Sequence, residues 1–214
     1  MTLRRRSLPA VLAALWASTR FGIAAADVRP LSPQAQAAGF VDVLSVAPDA
    51  VVYLPYATPQ NFTGTTLYPP DARCMVHESL APGLATAASV LRQRGGRLMF
   101  WDGYRPHDVQ VRMYQVVSNP NWVAKPSAYA RSHESGRSVD VTIAGVDMGT
   151  GFDDFTPKGM AYATDGLTPA QQANRARLRD AMVAGGFKPY SGEWWHFDGP
   201  GAGEPRPILD VPVD

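Results

Sequence analysis

With a single cysteine, Cys74, in 214 residues, no intramolecular disulfide can form and the fold is not stapled covalently. No apolar run approaches the roughly 20 residues that a membrane-spanning helix needs. The longest, Leu8 to Ala17, is cut off from any extension by Arg20, so no transmembrane span is predicted. Net charge is nearly absent too, at a formal +1, and the four arginines and no acid among the first 26 residues leave the remainder acidic. That removes the basic footprint of a nucleic-acid partner. Internal repeats and low-complexity tracts are also missing, and the composition fits neither a disordered nor a collagen-like chain.

What remains is 45% hydrophobic and 18% charged, enough apolar surface for one globular core. Residues 1–26 read as a signal peptide: Arg4, Arg5 and Arg6 form a positive start, an apolar stretch follows, and Ala24-Ala25-Ala26 offers small residues for cleavage. The expected mature domain is therefore 27–214, exported and periplasmic, by the general or the twin-arginine route. Cys74 reads as a small buried hydrophobe rather than a nucleophile, since no histidine is delivered to it.

Between Asp27 and about Ala72, proline, glycine and short apolar runs such as Val51-Val52-Tyr53-Leu54 suggest loops with short strands. Pro82 opens a helix that Gly95-Gly96 stops, and Arg97 to Trp101 reads as a buried strand ending at Asp102-Gly103. A second helix is expected over Asp108 to Val117. The third is the clearest, with Thr168 and Gln171 as a capping box, Pro169 at its first position, Gly185-Gly186 at its end, and Leu178, Ala181, Met182 and Gly185 facing the core. Along Ser138 to Ile143 the residues alternate, so that Val139, Val141 and Ile143 share an apolar face and Asp140 points away from it. Helices and short strands without regular alternation predict a single α+β domain, a small mixed or antiparallel sheet with flanking helices.

Two segments concentrate the unusual chemistry, Ser132 to Asp140 and Glu193-Trp194-Trp195-His196-Phe197. A catalytic zinc takes three nitrogen or oxygen ligands and keeps a fourth position open. His133, Asp140 and His196 supply that number if a turn at Gly136 returns the chain as a strand. His133-Glu134 does not begin an HExxH helix, because Arg137 stands where the second histidine would be. Glu193, beside two indoles, suits a general base whose pKa is raised by desolvation. Arg105, just after a buried strand, can steady an oxyanion or a carboxylate, or form a structural ion pair with Asp102. Asp153, on a glycine-rich loop, can grip an ammonium group or simply make a turn.

Taken together these segments resemble the D-alanyl-D-alanine dipeptidases of the vancomycin-resistance type, zinc D,D-peptidases that are also similar to the hedgehog signalling domain. Within Ser132 to Asp140, His133, Gly136 and Asp140 fall on the SxHxxGxAxD pattern, with Ser138 in place of the usual alanine. EWWH is intact at Glu193 to His196, WDGYRP at Trp101 to Pro106, and MGTxFD at Met148 to Asp153. Asn61-Phe62-Thr63-Gly64 resembles an early NFxG segment, so the likeness runs from about residue 40 to the end. It implies a hedgehog/D,D-peptidase-like fold and one Zn2+ per chain on His133, Asp140 and His196. It further implies Glu193 as base, Arg105 stabilising the transition state, Asp153 holding the amino group of a small D-amino-acid dipeptide, and Ser132 beside the substrate. Arg131 departs from the small polar residue common in the family. Trimming of peptidoglycan stem peptides by a D,D-carboxypeptidase or endopeptidase, and a non-catalytic zinc-stabilised binding module, stay open as alternatives.

Overall fold

The computed structural model of the chain describes residues 28–213, so the expected export segment 1–26 lies outside the described residues. The described chain builds one hydrophobic core around a five-stranded sheet. In spatial order the strands are β2 (Val51–Val52), β4 (Leu98–Asp102), β5 (Ser138–Ile143), β7 (His196–Asp198) and β6 (Lys188–Pro189). β2 runs parallel to β4, and the other neighbours are antiparallel. β1 (Phe40–Asp42) and β3 (Met75–His77) form a separate antiparallel pair. The helices are α1 (Pro33–Ala37), α2 (Val43–Val46), α3 (Ala81–Gln93), α4 (His107–Val116) and α5 (Pro169–Ala184). No helix among the described residues is long and apolar enough to cross a membrane. The α+β expectation, with a small mixed sheet and flanking helices, matches this architecture.

The well-marked elements form where their signals stand. In α5 both halves of the capping box are made: Gln171 N–H donates to Thr168 Oγ1 at 3.2 Å, and Thr168 N–H donates to Gln171 Oε1 at 2.8 Å. Leu178, Ala181 and Met182 are buried as expected. The helix also buries Arg175, whose guanidinium donates to the carbonyls of Met148 and Lys158, both at 2.7 Å, and to Thr150 Oγ1 at 3.1 Å. A helix positioned by its cap and apolar stripe thus ties down the loop that carries Asp153.

One expectation is extended and another corrected. Val139, Val141 and Ile143 do share the core face of β5, but the opposite face is buried as well, Ser138, Asp140 and Thr142 included. Polar residues on a covered face must find partners inside the protein, and these supply the functional site. In the amino-terminal quarter, read as loops with short strands, the helices α1 and α2 form too. Both are short, capped by Ser32 and Asp42, whose side chains accept from Ala35 and Leu44 N–H. Cys74 is buried, and burial pushes its thiol well above the ordinary range, as suits an inert core residue.

Candidate active site

Three neighbouring strands bring the acidic and imidazole groups together. Asp140 of β5 stands in register with His196 of β7 on one side and, across a register shift in β4, with Asp102 on the other. His133 arrives on a single 3-10 turn, Ser132–Ser135, closed by Gly136 at φ 64°. In that left-handed conformation any side chain is strained, and a β-carbon would run into the Phe40 ring and the His77 backbone nitrogen. The turn is locked to the end of β4: His133 Nδ1 lies 2.8 Å from the Gly103 carbonyl, and Arg105 N–H donates to the His133 carbonyl at 3.1 Å.

A carbonyl can only accept, so Nδ1 of His133 carries the proton and Nε2 presents its lone pair. That Nε2 lies 3.1 Å from His196 Nδ1 and 3.3 Å from Asp140 Oδ2, and His196 Nδ1 lies 3.0 Å from Asp140 Oδ1. One ligand atom from each residue falls within 4.8 Å of the other two. Two ligands held about 2.0–2.1 Å from one ion at the tetrahedral angle stand about 3.3 Å apart, so the spacing and the donor set both fit zinc.

The electrostatics ask for a cation at the same point. Burial opposes ionisation of Asp140, yet His133 and His196 outweigh it and hold the carboxyl well below its ordinary range. At His196 burial works against a charged ring, but the bonds to Asp140 and Asp198 raise it to about 10. A proton on His196 plays the part a metal ion would take. Glu193 Oε2 lies 4.0 Å from His196 Nδ1, and its carboxyl is raised to about 7, chiefly by desolvation, with His196 opposing and Asp140 adding to the rise. The Trp195 beside it is buried, and the Trp194 indole N–H donates to Thr150 Oγ1 at 2.8 Å.

Of the two readings of Arg105, the ion pair with Asp102 is formed. Its Nε and Nη2 donate to Asp102 Oδ2 at 2.9 and 2.8 Å, and Nη1 donates to Gln110 Oε1 at 2.8 Å. Of the five N–H groups of a guanidinium, two are left over, and Nη2 reaches to 3.7 Å from Asp140 Oδ2. Asp153, at φ 54°, accepts from Tyr56 Oη at 2.9 Å. Burial, then the charge of Asp140, pushes its carboxyl well above the ordinary range. Ser132, at φ 47°, borders the same space, but its hydroxyl donates to Ser138 Oγ at 2.9 Å. Counted back from His133, the serine of the SxH pattern falls on Arg131, and Ser132 is the residue between.

Arg105, His133, Asp140, Asp153, Glu193 and His196 all line one cavity of about 370 Å³. Sequence reasoning missed several of its walls. Trp122 stacks on Phe155 with ring centroids 5.3 Å apart, Phe155 packs edge-on against Phe62 at 5.2 Å, and Tyr190 meets the His196 ring at 5.7 Å. Phe62 belongs to the NFxG segment, but no local pattern marks Tyr56, Trp122, Phe155 or Tyr190, since loops distant in sequence bring them together. Asp198 is different: two residues beyond His196 on a strand, it had to share that histidine's face.

The sequence profile of the M15 peptidase family, described as D-ala-D-ala dipeptidase, matches residues 36–214. A D-alanyl-D-alanine dipeptidase of Escherichia coli (strain K12) is 35% identical over 167 residues, covering 76% of this chain and 85% of that protein. One from Enterococcus faecium is 31% identical over 182 residues, covering 74% and 90%. Among solved structures, a vancomycin-resistance D,D-pentapeptidase in complex with Zn(II) shares 17% identity over 59% of this chain and 73% of that one, with a TM-score of 0.39.

Proposed function

This chain belongs to the M15 peptidase family described as D-ala-D-ala dipeptidase, and from that premise we propose that it hydrolyses D-alanyl-D-alanine to free D-alanine at one zinc ion held by His133, Asp140 and His196. The observation that carries the reading is the convergence of two imidazoles and a carboxylate beside Glu193 in a cavity of dipeptide scale. Zinc in that cradle supplies Lewis acidity, which polarises a carbonyl and acidifies a neighbouring water.

The chain's own residues do the rest. Asp153, steadied by Tyr56, takes the substrate ammonium, whose positive charge supplies the partner that this carboxylate lacks. Glu193 removes a proton from the attacking water and returns it to the amine nitrogen as the C–N bond breaks. Its carboxyl, raised to about 7, is matched to both transfers near neutral pH. Arg105 turns its two remaining N–H groups to the carbonyl oxygen as negative charge grows there. A free amino group is thereby required at the end that Asp153 grips, which favours a dipeptide over a stem peptide. Arg131 and Lys125 on the cavity wall offer positive charge for the carboxylate of a zwitterionic substrate.

Export is part of the same proposal, supported by the arginines, apolar stretch and alanines of residues 1–26. An exported dipeptidase would scavenge or recycle wall-derived D-alanine. The deciding experiment incubates the purified protein with D-Ala-D-Ala and with its N-acetylated form, each with and without a chelator, and quantifies D-alanine. Release from the free dipeptide alone, abolished by the chelator, is expected; release from the blocked form at a comparable rate would replace the dipeptidase reading with a carboxypeptidase. Sequencing the amino terminus of the protein recovered from the periplasm checks the export step.

A further inference from the structure

Behind His196 lies a chain of hydrogen bonds that none of the family motifs contains. His196 Nε2 is 3.1 Å from Asp198 Oδ1, the Ser138 hydroxyl donates to that same oxygen at 2.6 Å, and the Ser132 hydroxyl donates to Ser138 Oγ at 2.9 Å. The arrangement follows from strand register. Ser138 pairs with Asp198, and Asp140 pairs with His196, on the same two strands. Because side chains two apart on a strand share a face, the orienting pair is stacked directly beside the ligand pair. Ser138 is fully buried, so its hydroxyl has no water to bond and depends on this chain.

We infer that Ser132, Ser138 and Asp198 form a strut that positions His196 as a metal ligand. Asp198 can only accept, so it keeps a proton on Nε2 of the imidazole and leaves Nδ1 as the nitrogen that faces His133 and Asp140. Ser138 pins the carboxylate oxygen that does this, and Ser132 sets the direction in which Ser138 donates. A serine two residues before Asp140, where the family pattern has alanine, thereby acquires a task. It also explains why the Ser132 hydroxyl turns towards the sheet although the residue borders the cavity. The inference rests on the zinc reading above for its function, but its geometry exists in the protein without metal.

Partners that orient a metal-bound histidine are worth about 10–100-fold in metal affinity. Asp198→Ala is therefore expected to raise the zinc dissociation constant by about tenfold or more, and Ser138→Ala by several-fold, measured by competition with a chromophoric chelator. Alanine at 138 is the usual family residue, so folding is not at issue, and thermal unfolding of the metal-free protein should barely move. In the double variant the Ser138→Ala change should add almost nothing, because the strut acts only through Asp198. Additive losses, or unchanged affinity in Asp198→Ala, would overturn the inference. Crystal structures of the metal-free proteins give a second readout. Nδ1 of His196 should face His133 and Asp140 in the parent, and the ring should leave that position in Asp198→Ala; a ring that keeps its place in Asp198→Ala would likewise overturn it. Failure of the parent to bind zinc would instead reject the zinc reading, while the orientation of the His196 ring would still decide the strut.

Discussion

Arg105 and Asp102 are joined twice through one oxygen, with Nε at 2.9 Å and Nη2 at 2.8 Å from Oδ2, while Oδ1 accepts from Tyr68 Oη at 2.8 Å and Gly103 N–H at 3.0 Å. Asp102 is completely buried and has both oxygens satisfied, so the aspartate is a fixed mount. It holds the guanidinium over the Tyr56 ring, 5.4 Å from the centroid, with two N–H groups to spare. In the proposed mechanism the ion pair serves the catalytic role: the pair keeps a buried cation charged and aimed. Asp102→Asn should cost roughly 3–5 kcal/mol of stability, the penalty for leaving one partner of a buried pair uncompensated. It should also lower kcat, and urea unfolding with steady-state kinetics would measure the two. Wild-type values of both would remove Asp102 from this role.

Glu193 is the group whose loss should separate metal binding from turnover. Glu193→Gln keeps the shape and removes the base, so kcat should fall by about 10²–10⁴-fold with zinc content unchanged by atomic absorption. A variant that retained the parent rate would show that another group handles the proton.

Asp153 and Tyr56 are expected to act on binding. Asp153→Asn should raise KM for D-Ala-D-Ala by about tenfold or more, the scale of a lost hydrogen bond to a charged group, with a smaller effect on kcat. Tyr56→Phe should follow in the same direction by a lesser amount. An Asp153→Asn enzyme with unaltered KM would place the substrate ammonium elsewhere.

Gly136 is the backbone turn between His133 and the strand that carries Asp140. Gly136→Ala forces a β-carbon into a left-handed turn and against Phe40. Strain of that kind costs about 1–3 kcal/mol, and because the turn carries His133, zinc affinity should fall with it. Calorimetry and chelator competition on the same sample test the link; lost stability with full affinity would uncouple the turn from the ligand.

Removing the metal should lower the melting temperature, since an ion bound only by the folded chain stabilises it by mass action. The shift on adding a chelator should vanish in His196→Ala, whose ligand set is broken. An equal shift in that variant would mean the chelator acts elsewhere.

What the amino-acid sequence alone determined were the features carried by short spacings. The Thr168–Gln171 box and the apolar stripe of α5 are satisfied within a few residues, so helix and cap were legible. The alternation of β5 placed Asp140 opposite the apolar face, and Gly136 marked the turn between His133 and that strand, because glycine alone adopts such a turn freely. Even Asp198 was within reach through its distance of two from His196. Tertiary structure decided everything that depends on register. Nothing near Asp140 announces that His196 lies beside it on β7, or that Asp102 flanks it on β4. The strands β3, β6 and β7 are two or three residues long, too short for a periodic signal, and exist because neighbouring strands supply their hydrogen-bond partners. Likewise the bond from Tyr56 to Asp153 spans 97 residues. Local chemistry selects turns, caps and faces. The packing of those faces against one another, which is a property of the whole chain, selects the neighbours that bring three scattered side chains into one site.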